Sequence, residues 1–358
     1  MNSDSIKFTA VISLLVLAGC SNPQPEPEII HLPNINNVYF KFIWSKNLPG
    51  TPTYPLFLSD SAILVGTDEG TLHQYSLTRG ELIREIGGMK RLTGIAPCKE
   101  GIAVLSYSGY LDILDYNFNC TAREILPGIQ FYPPVVADNY LCCYNIEGTA
   151  FIVESEQLHI YSVKTENMWG TGRTGIIAEG NSIYSISENG LWKIDVGGKT
   201  IDISCQFDSL ELLTDLWVGH ELIAVSNSWG EIKLVDKHNF QILYHFITGL
   251  NCPVKTTVQD NYLYYQSNCG ELGCVELVNY SLMWKYQLKG NSYTKPLVIG
   301  DIILTGDDQG YLYKLNRWSG MELNLKKITD QNIIEIVRHD RYLIIMGLKG
   351  GLYVLVET

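Results

Sequence analysis

The stretch TGDDQGYLYKL (Thr305 to Leu315) decides the fold, because its acidic tip can be read as a cation loop or as a turn between two strands. Ile302, Ile303 and Leu304 precede the tip and Leu312, Tyr313 and Leu315 follow it, all residue types that favour a pleated, half-buried surface. A calcium loop of the alternating-Asp kind needs carboxylates two apart, whereas Asp307 and Asp308 are adjacent. Recurrence separates the two readings: a binding loop usually stands alone, and a building block repeats.

The pattern repeats along the chain. The position that closes the tip falls at Gly70, Gly109, Gly148, Asn189, Gly230, Gly270, Gly310 and Gly350, with spacings of 39, 39, 41, 41, 40, 40 and 40 residues. Two places further on stands an apolar column: Leu72, Leu111, Ala150, Leu191, Ile232, Leu272, Leu312 and Leu352. A closing position of this kind asks for a positive backbone dihedral, which Gly adopts freely and Asn better than most residues. Each hairpin is preceded by an apolar run, as in PPVVA (Pro133 to Ala137), and followed by a further strand, as in QILYHF (Gln241 to Phe246). Four short strands per repeat, with no helical periodicity between them, make one propeller blade. The expectation is an all-β, eight-bladed β-propeller of four-stranded blades over residues 38–358. The eighth repeat carries only three strands before Thr358, and FKFIWSKNL (Phe40 to Leu48) precedes the first repeat without a hairpin of its own. That N-terminal strand is therefore expected to complete the last blade, closing the ring and hiding its sheet edges.

Composition fits one continuous repeat array: 46% of the 358 residues are hydrophobic, enough to fill a large core. A net charge of -12 with no offsetting Lys or Arg cluster argues against a nucleic-acid surface. No GxSxG elbow, HExxH or strand-to-helix glycine loop occurs, so no catalytic residue or cofactor is assigned. GTGRTG (Gly170 to Gly175) is followed by no helix signal and reads as a connection between blades rather than a phosphate loop. The seven histidines are scattered and there is no CxxC, which disfavours zinc, so no metal is assigned.

At the N-terminus, FTAVISLLVLAGC (Phe8 to Cys20) is too short to span a bilayer and suits the apolar region of a secretory signal. LAGC (Leu17 to Cys20) resembles a bacterial lipobox, which implies a lipoprotein signal peptide over residues 1–19 and acylation of Cys20. Residues 20–37 then form the lipid anchor and a flexible tether, polar and proline-rich in SNPQPEPE (Ser21 to Glu28). Ser21 resembles the residue that sorts lipoproteins to the outer membrane. Eight cysteines remain beyond Cys20, and in an oxidising compartment their even count permits disulfides, but spacing does not choose among the pairings. Cys269 and Cys274 are close in sequence, yet one sits in a tip and the other down the return strand. Buried small hydrophobes are the default reading for most of the eight.

The repeat ILTGDDQGYLYKLNRWSGMEL (Ile303 to Leu323) resembles that of the PQQ-type β-propellers, and the lipobox, tether and eight repeats together resemble the BamB-like outer-membrane lipoproteins. This resemblance implies a non-enzymatic scaffold facing the periplasm, partnered by an outer-membrane β-barrel assembly protein (BamA-like) and by unfolded outer-membrane proteins. Where that family carries an L-R-G signature before the fourth blade and D-V-D-T-T-P before the fifth, this chain reads MWGTGRTG (Met168 to Gly175) and LELLTDLW (Leu210 to Trp217). Trp169 and Arg173 of the first segment are the candidate partner-binding residues, an apolar plug and a directional donor. Two other readings stay open: an envelope propeller that binds another protein or ligand, and a quinoprotein enzyme. The enzyme is disfavoured because blades of about 40 residues leave no room for the inserted loops such dehydrogenases carry.

If Cys20 is acylated, Cys20→Ala leaves the ring intact and releases it from the membrane. The tether alone supplies no insertion energy, whereas each buried acyl CH₂ contributes about 0.8 kcal/mol. Fractionation after a salt wash checks this, and retention of the variant in the membrane pellet would contradict it.

Overall fold

The computed structural model describes residues 39–53, 56–59, 61–154, 158–165, 175–188, 190–207 and 212–358. Its described strands form eight four-stranded antiparallel sheets, each one blade of a β-propeller. The seventh blade is representative: Leu297–Ile299, Ile302–Gly306, Tyr311–Asn316 and Glu322–Lys327 pair in chain order. The eighth differs in connectivity. Ile333–His339, Tyr342–Gly347 and Gly351–Glu357 supply three strands, and Phe40–Asn47 pairs antiparallel with Gly351–Glu357 as the fourth. The N-terminal strand thus closes the ring, as its sequence suggested. The Thr358 N–H donates to the Tyr39 carbonyl at 2.9 Å and fastens the two ends of the ring domain together.

Burial follows from strand position. Third strands are apolar on both faces, as in Glu271–Glu276, where only the terminal residues reach water. Outer strands such as Ile242–Ile247 alternate exposed and half-buried residues, since one face looks outward. Eight apolar clusters fill the eight spaces between neighbouring blades, and each draws side chains from two of them. The cluster joining the eighth blade to the first holds Trp44, Leu48, Ile63, Val65, Ile344 and Leu352. All eight residues of the apolar column are buried, Leu312 being the least so at 6% exposure.

Seven of the eight tips share one construction. Five residues separate the last hairpin pair of strands, as between Gly306 and Leu312, and the closing glycines have φ between 76° and 88°. In the fourth blade only four residues separate Ile186 from Leu191, and Ser187 N–H donates to the Gly190 carbonyl at 2.8 Å. That hairpin is one residue shorter, which explains the absence of glycine from the column there; Asn189 itself lies outside the described residues.

Two backbone bonds fasten each of the seven tips. The closing glycine's carbonyl accepts from the residue leaving the outer strand, as in Ile328 N–H to Gly310 at 2.9 Å and Leu48 N–H to Gly350 at 2.8 Å. The residue two before the glycine donates to the linker that enters the same blade, as in Asp308 N–H to Asn291 O at 2.7 Å. At Gly310 the linker comes so close that an added Cβ would lie 2.0 Å from the Thr329 carbonyl oxygen. The acidic tip that opened the question is consumed by the turn. Asp307 is fully buried, and its Oδ1 accepts from the N–H groups of Gln309 and Tyr311 at 3.0 and 2.8 Å.

Neighbouring blades are also tied at their rims. The Trp44 indole N–H donates to the Leu77 carbonyl at 2.9 Å, with its ring where a Cβ on Gly80 would stand. Trp284 repeats this between the sixth and seventh blades, donating to the Arg317 carbonyl at 3.1 Å above Gly320. Arg317 is itself buried and reaches back to the Tyr264 hydroxyl at 2.7 Å and to Asp260 at 2.5 Å.

Gly310→Ala tests the tip directly. The left-handed backbone alone costs an L side chain about 1–3 kcal/mol, and the crowding by Thr329 adds to it. A lowered denaturation midpoint, with the ring still formed, is the expected result, and an unchanged midpoint would mean the tip relaxes freely.

Candidate functional site

Because successive strands of a blade reverse direction, the tips between second and third strands lie on the same face as the linkers between blades. The bonds from tips to linkers confirm this contact in seven blades. The face so formed exposes apolar groups at Ile129 and Phe131 before the third blade, Leu212 before the fifth, Trp229 in the fifth tip, Tyr293 before the seventh and Leu348 in the eighth tip. A shallow groove of about 600 Å³ opens on it, lined by Gly50, Thr51, Asp68, Glu69, Arg91, Leu348 and Lys349. It carries both charge signs beside an apolar side chain. The opposite face also exposes aromatic residues, but several are engaged within the ring: Tyr280 stacks on Tyr244 at 4.0 Å, and Trp318 lies 4.6 Å from the Arg317 guanidinium.

Of the residues singled out from sequence, Cys20, Trp169 and Arg173 lie outside the described residues. The chain around the last two is described up to Thr165, whose N–H and hydroxyl both donate to the Gly148 carbonyl at 2.8 Å, and again from Gly175, whose carbonyl accepts from Ile186 N–H. The segment therefore connects the outer strand of the third blade to the inner strand of the fourth. The neighbouring cysteines Cys142 and Cys143 point to opposite faces of their strand: Cys142 belongs to the core between the third and fourth blades and Cys143 to that between the second and third. Cys269 faces the Cys252 thiol rather than Cys274, and this hydrogen bond pushes Cys269 up to about 11.

One constellation was not read from the sequence. Asp215, Lys255 and Glu335 lie in the inner strands of the fifth, sixth and eighth blades, and Lys295 stands two residues before that of the seventh, at intervals of 40 residues. Asp215 is fully buried, ion-paired to Lys295 Nζ at 3.0 Å, and accepts from Thr256 N–H at 2.9 Å. Lys295 also donates to the Leu216 carbonyl at 2.8 Å, so a side chain of the seventh blade reaches across to the fifth. Burial pulls Lys255 down from its ordinary range, while Asp215 and Glu335 oppose that shift. Two carboxylates and two ammonium groups compensate one another, and removing one partner from such a buried set typically costs 3–5 kcal/mol. The cluster therefore reads as a clamp on the inner strands. A signal existed in the sequence: charges recurring in one column of an otherwise apolar repeat.

Among the described residues, no group of three His, Cys, Asp or Glu side chains could hold a metal ion. The fold and this face define the class: an eight-bladed β-propeller with short connections and a broad mixed surface of tips and linkers.

Comparison with solved structures gives the same class. The chain is similar to BamB from Moraxella catarrhalis, with a TM-score of 0.74 at 14% identity over 89% of this chain and 98% of that one. The computationally designed Ika8 protein gives 0.73 at 14% identity, covering 87% and 98%. The C-terminal WD40 domain of Sif2 gives 0.72 at 10% identity, covering 88% and 98%. No family model matches the sequence, and no curated protein sequence matches it. At these identities the likeness is one of fold.

Proposed function

We propose that this protein is a non-enzymatic, BamB-like scaffold, held at the outer membrane by a lipid on Cys20 and facing the periplasm, where it assists assembly and insertion of outer-membrane β-barrel proteins. The observation that supports this reading most is the likeness in fold to BamB, which runs over 89% of this chain and 98% of the other. LAGC supports the anchor, and Ser21 supports the outer membrane as its destination. A BamA-like barrel protein docks on the tip face and unfolded outer-membrane proteins pass alongside. Scattered apolar groups rimmed by charge suit such contacts better than they suit a small substrate.

MWGTGRTG joins the third and fourth blades in sequence and brings the residue types that anchor interfaces, Trp169 and Arg173, among glycines that let a partner's backbone approach. The same segment favours a second reading, an envelope propeller bound to a different protein, because it departs from the L-R-G signature.

Crosslinking in intact envelopes, followed by identification of what co-purifies, tests the proposal. An outer-membrane assembly protein is the expected product, and recovery of a respiratory or sugar-utilisation protein alone would overturn it. Trp169→Ala with Arg173→Ala is expected to leave stability within about 1 kcal/mol, as for a surface site, while sharply lowering co-purification. Unchanged co-purification removes this linker from the interface, and a collapse in stability would place Trp169 in the core.

A further inference from the structure

Cys252 lies in the linker that enters the sixth blade, and Cys269 lies in that blade's tip. The antiparallel ladder between Val254–Gln259 and Tyr262–Ser267 pairs Val254 with Ser267. It continues outward as the Asn268 N–H donates to the Pro253 carbonyl at 2.8 Å. Cys252 precedes Pro253 and Cys269 follows Asn268, so this bond brings the two cysteines side by side where the linker meets the tip, and a disulfide there needs Cα atoms roughly 4.4–6.8 Å apart. Their thiol side chains are in hydrogen-bond contact. Cys252 is buried and Cys269 is exposed, so one sulfur is open to solvent and the other waits behind it.

The other cysteines among the described residues are not brought together in this way. Cys120 and Cys205 lie in the outer strands of the second and fourth blades, which are not neighbours. Cys142 and Cys143 face opposite blade interfaces, and Cys274 is buried in the core between the sixth and seventh blades. Cys98 is buried in the core between the second and third blades.

We propose that Cys252 and Cys269 form a disulfide that staples the linker entering the sixth blade to that blade's tip, on the face assigned above to partner binding. The chemistry is exchange with a disulfide oxidant. The Cys269 thiolate attacks one sulfur of the oxidant, forming a mixed disulfide and expelling one thiolate. Cys252 gives up its proton to solvent and attacks the Cys269 sulfur, expelling the second thiolate. Two protein thiols lose two electrons and two protons, and the oxidant takes up both electrons and becomes two thiols. The staple resists reduction to the degree that the backbone already holds the two cysteines face to face, and it fixes two segments that otherwise depend on one backbone bond.

The test uses the full chain, incubated with oxidised glutathione, then quenched in acid, alkylated under denaturing conditions and digested without reduction. The expected product is a peptide pair joined through Cys252 and Cys269, with two fewer alkylated thiols than in the reduced protein and reversal by dithiothreitol. Cys252→Ser is expected to trap Cys269 as its glutathione adduct, because the resolving sulfur is gone. Persistence of that adduct in the unsubstituted protein, alkylation of both cysteines, or linkage of Cys269 to any other cysteine would overturn the proposal. The mapping of the unsubstituted protein decides the matter even where the serine variant fails to fold.

Discussion

A single backbone contact recurs in seven of the eight blades and holds the ring in register: the carbonyl of the glycine that closes the hairpin tip accepts from the residue leaving the outer strand. The glycine answers two demands at once. Its φ near 80° turns the hairpin, and its missing Cβ lets the following linker carbonyl come within contact distance of its Cα. The tip thus fixes where the outer strand ends and where the next blade begins. Repeated at intervals of 39 to 41 residues, the contact sets the length of each blade and the course of each linker. In the eighth blade the same bond runs from Leu48 to Gly350, between opposite ends of the ring domain, and so becomes the closure of the ring.

Packing then follows from geometry. Third strands are covered on both sides by neighbouring blades, so their residues are apolar without alternation, while outer strands alternate because one face meets water. Each interface is separate, and stability builds by neighbour contacts, as in other repeat proteins. Rim contacts such as Trp44 over Gly80 and Trp284 over Gly320 add directional bonds where the apolar cores thin out. Asp215 and Lys295 do the same near the inner strands, tying the fifth, sixth and seventh blades through an ion pair and the bond from Thr256 N–H to Asp215, with Lys255 and Glu335 adding to the local charge balance.

Much of this was legible because the determining feature is local and repeated. A glycine, once an asparagine, with an apolar residue two places on, recurring eight times, specifies blade number, strand count and face without any knowledge of long-range contacts. Phe40 to Leu48 was recognisable as the closing strand by arithmetic, since the last repeat was one strand short. What escaped was of two kinds. The shortened fourth tip could not be seen because Asn189 satisfies the column by residue type while the number of residues in the turn differs. Cys252 beside Cys269, and Asp215 with Lys295, escaped because their pairing depends on strand register and on which side chains turn inward across blades. Spacing alone leaves both undetermined. The proposed partner-binding role of Trp169 and Arg173 and the proposed anchor at Cys20 rest on local motif and composition, and their tests lie in the envelope rather than in the ring.

Hydrogen exchange across Phe40–Asn47 and Leu48 examines the central claim most directly. Closure predicts that these amides exchange as slowly as those of an internal outer strand such as Ser281–Gln287, and together with the amides of Gly351–Glu357. Rapid exchange of Phe40–Asn47 while Gly351–Glu357 stays protected would contradict it, leaving the eighth blade with three strands and an open ring.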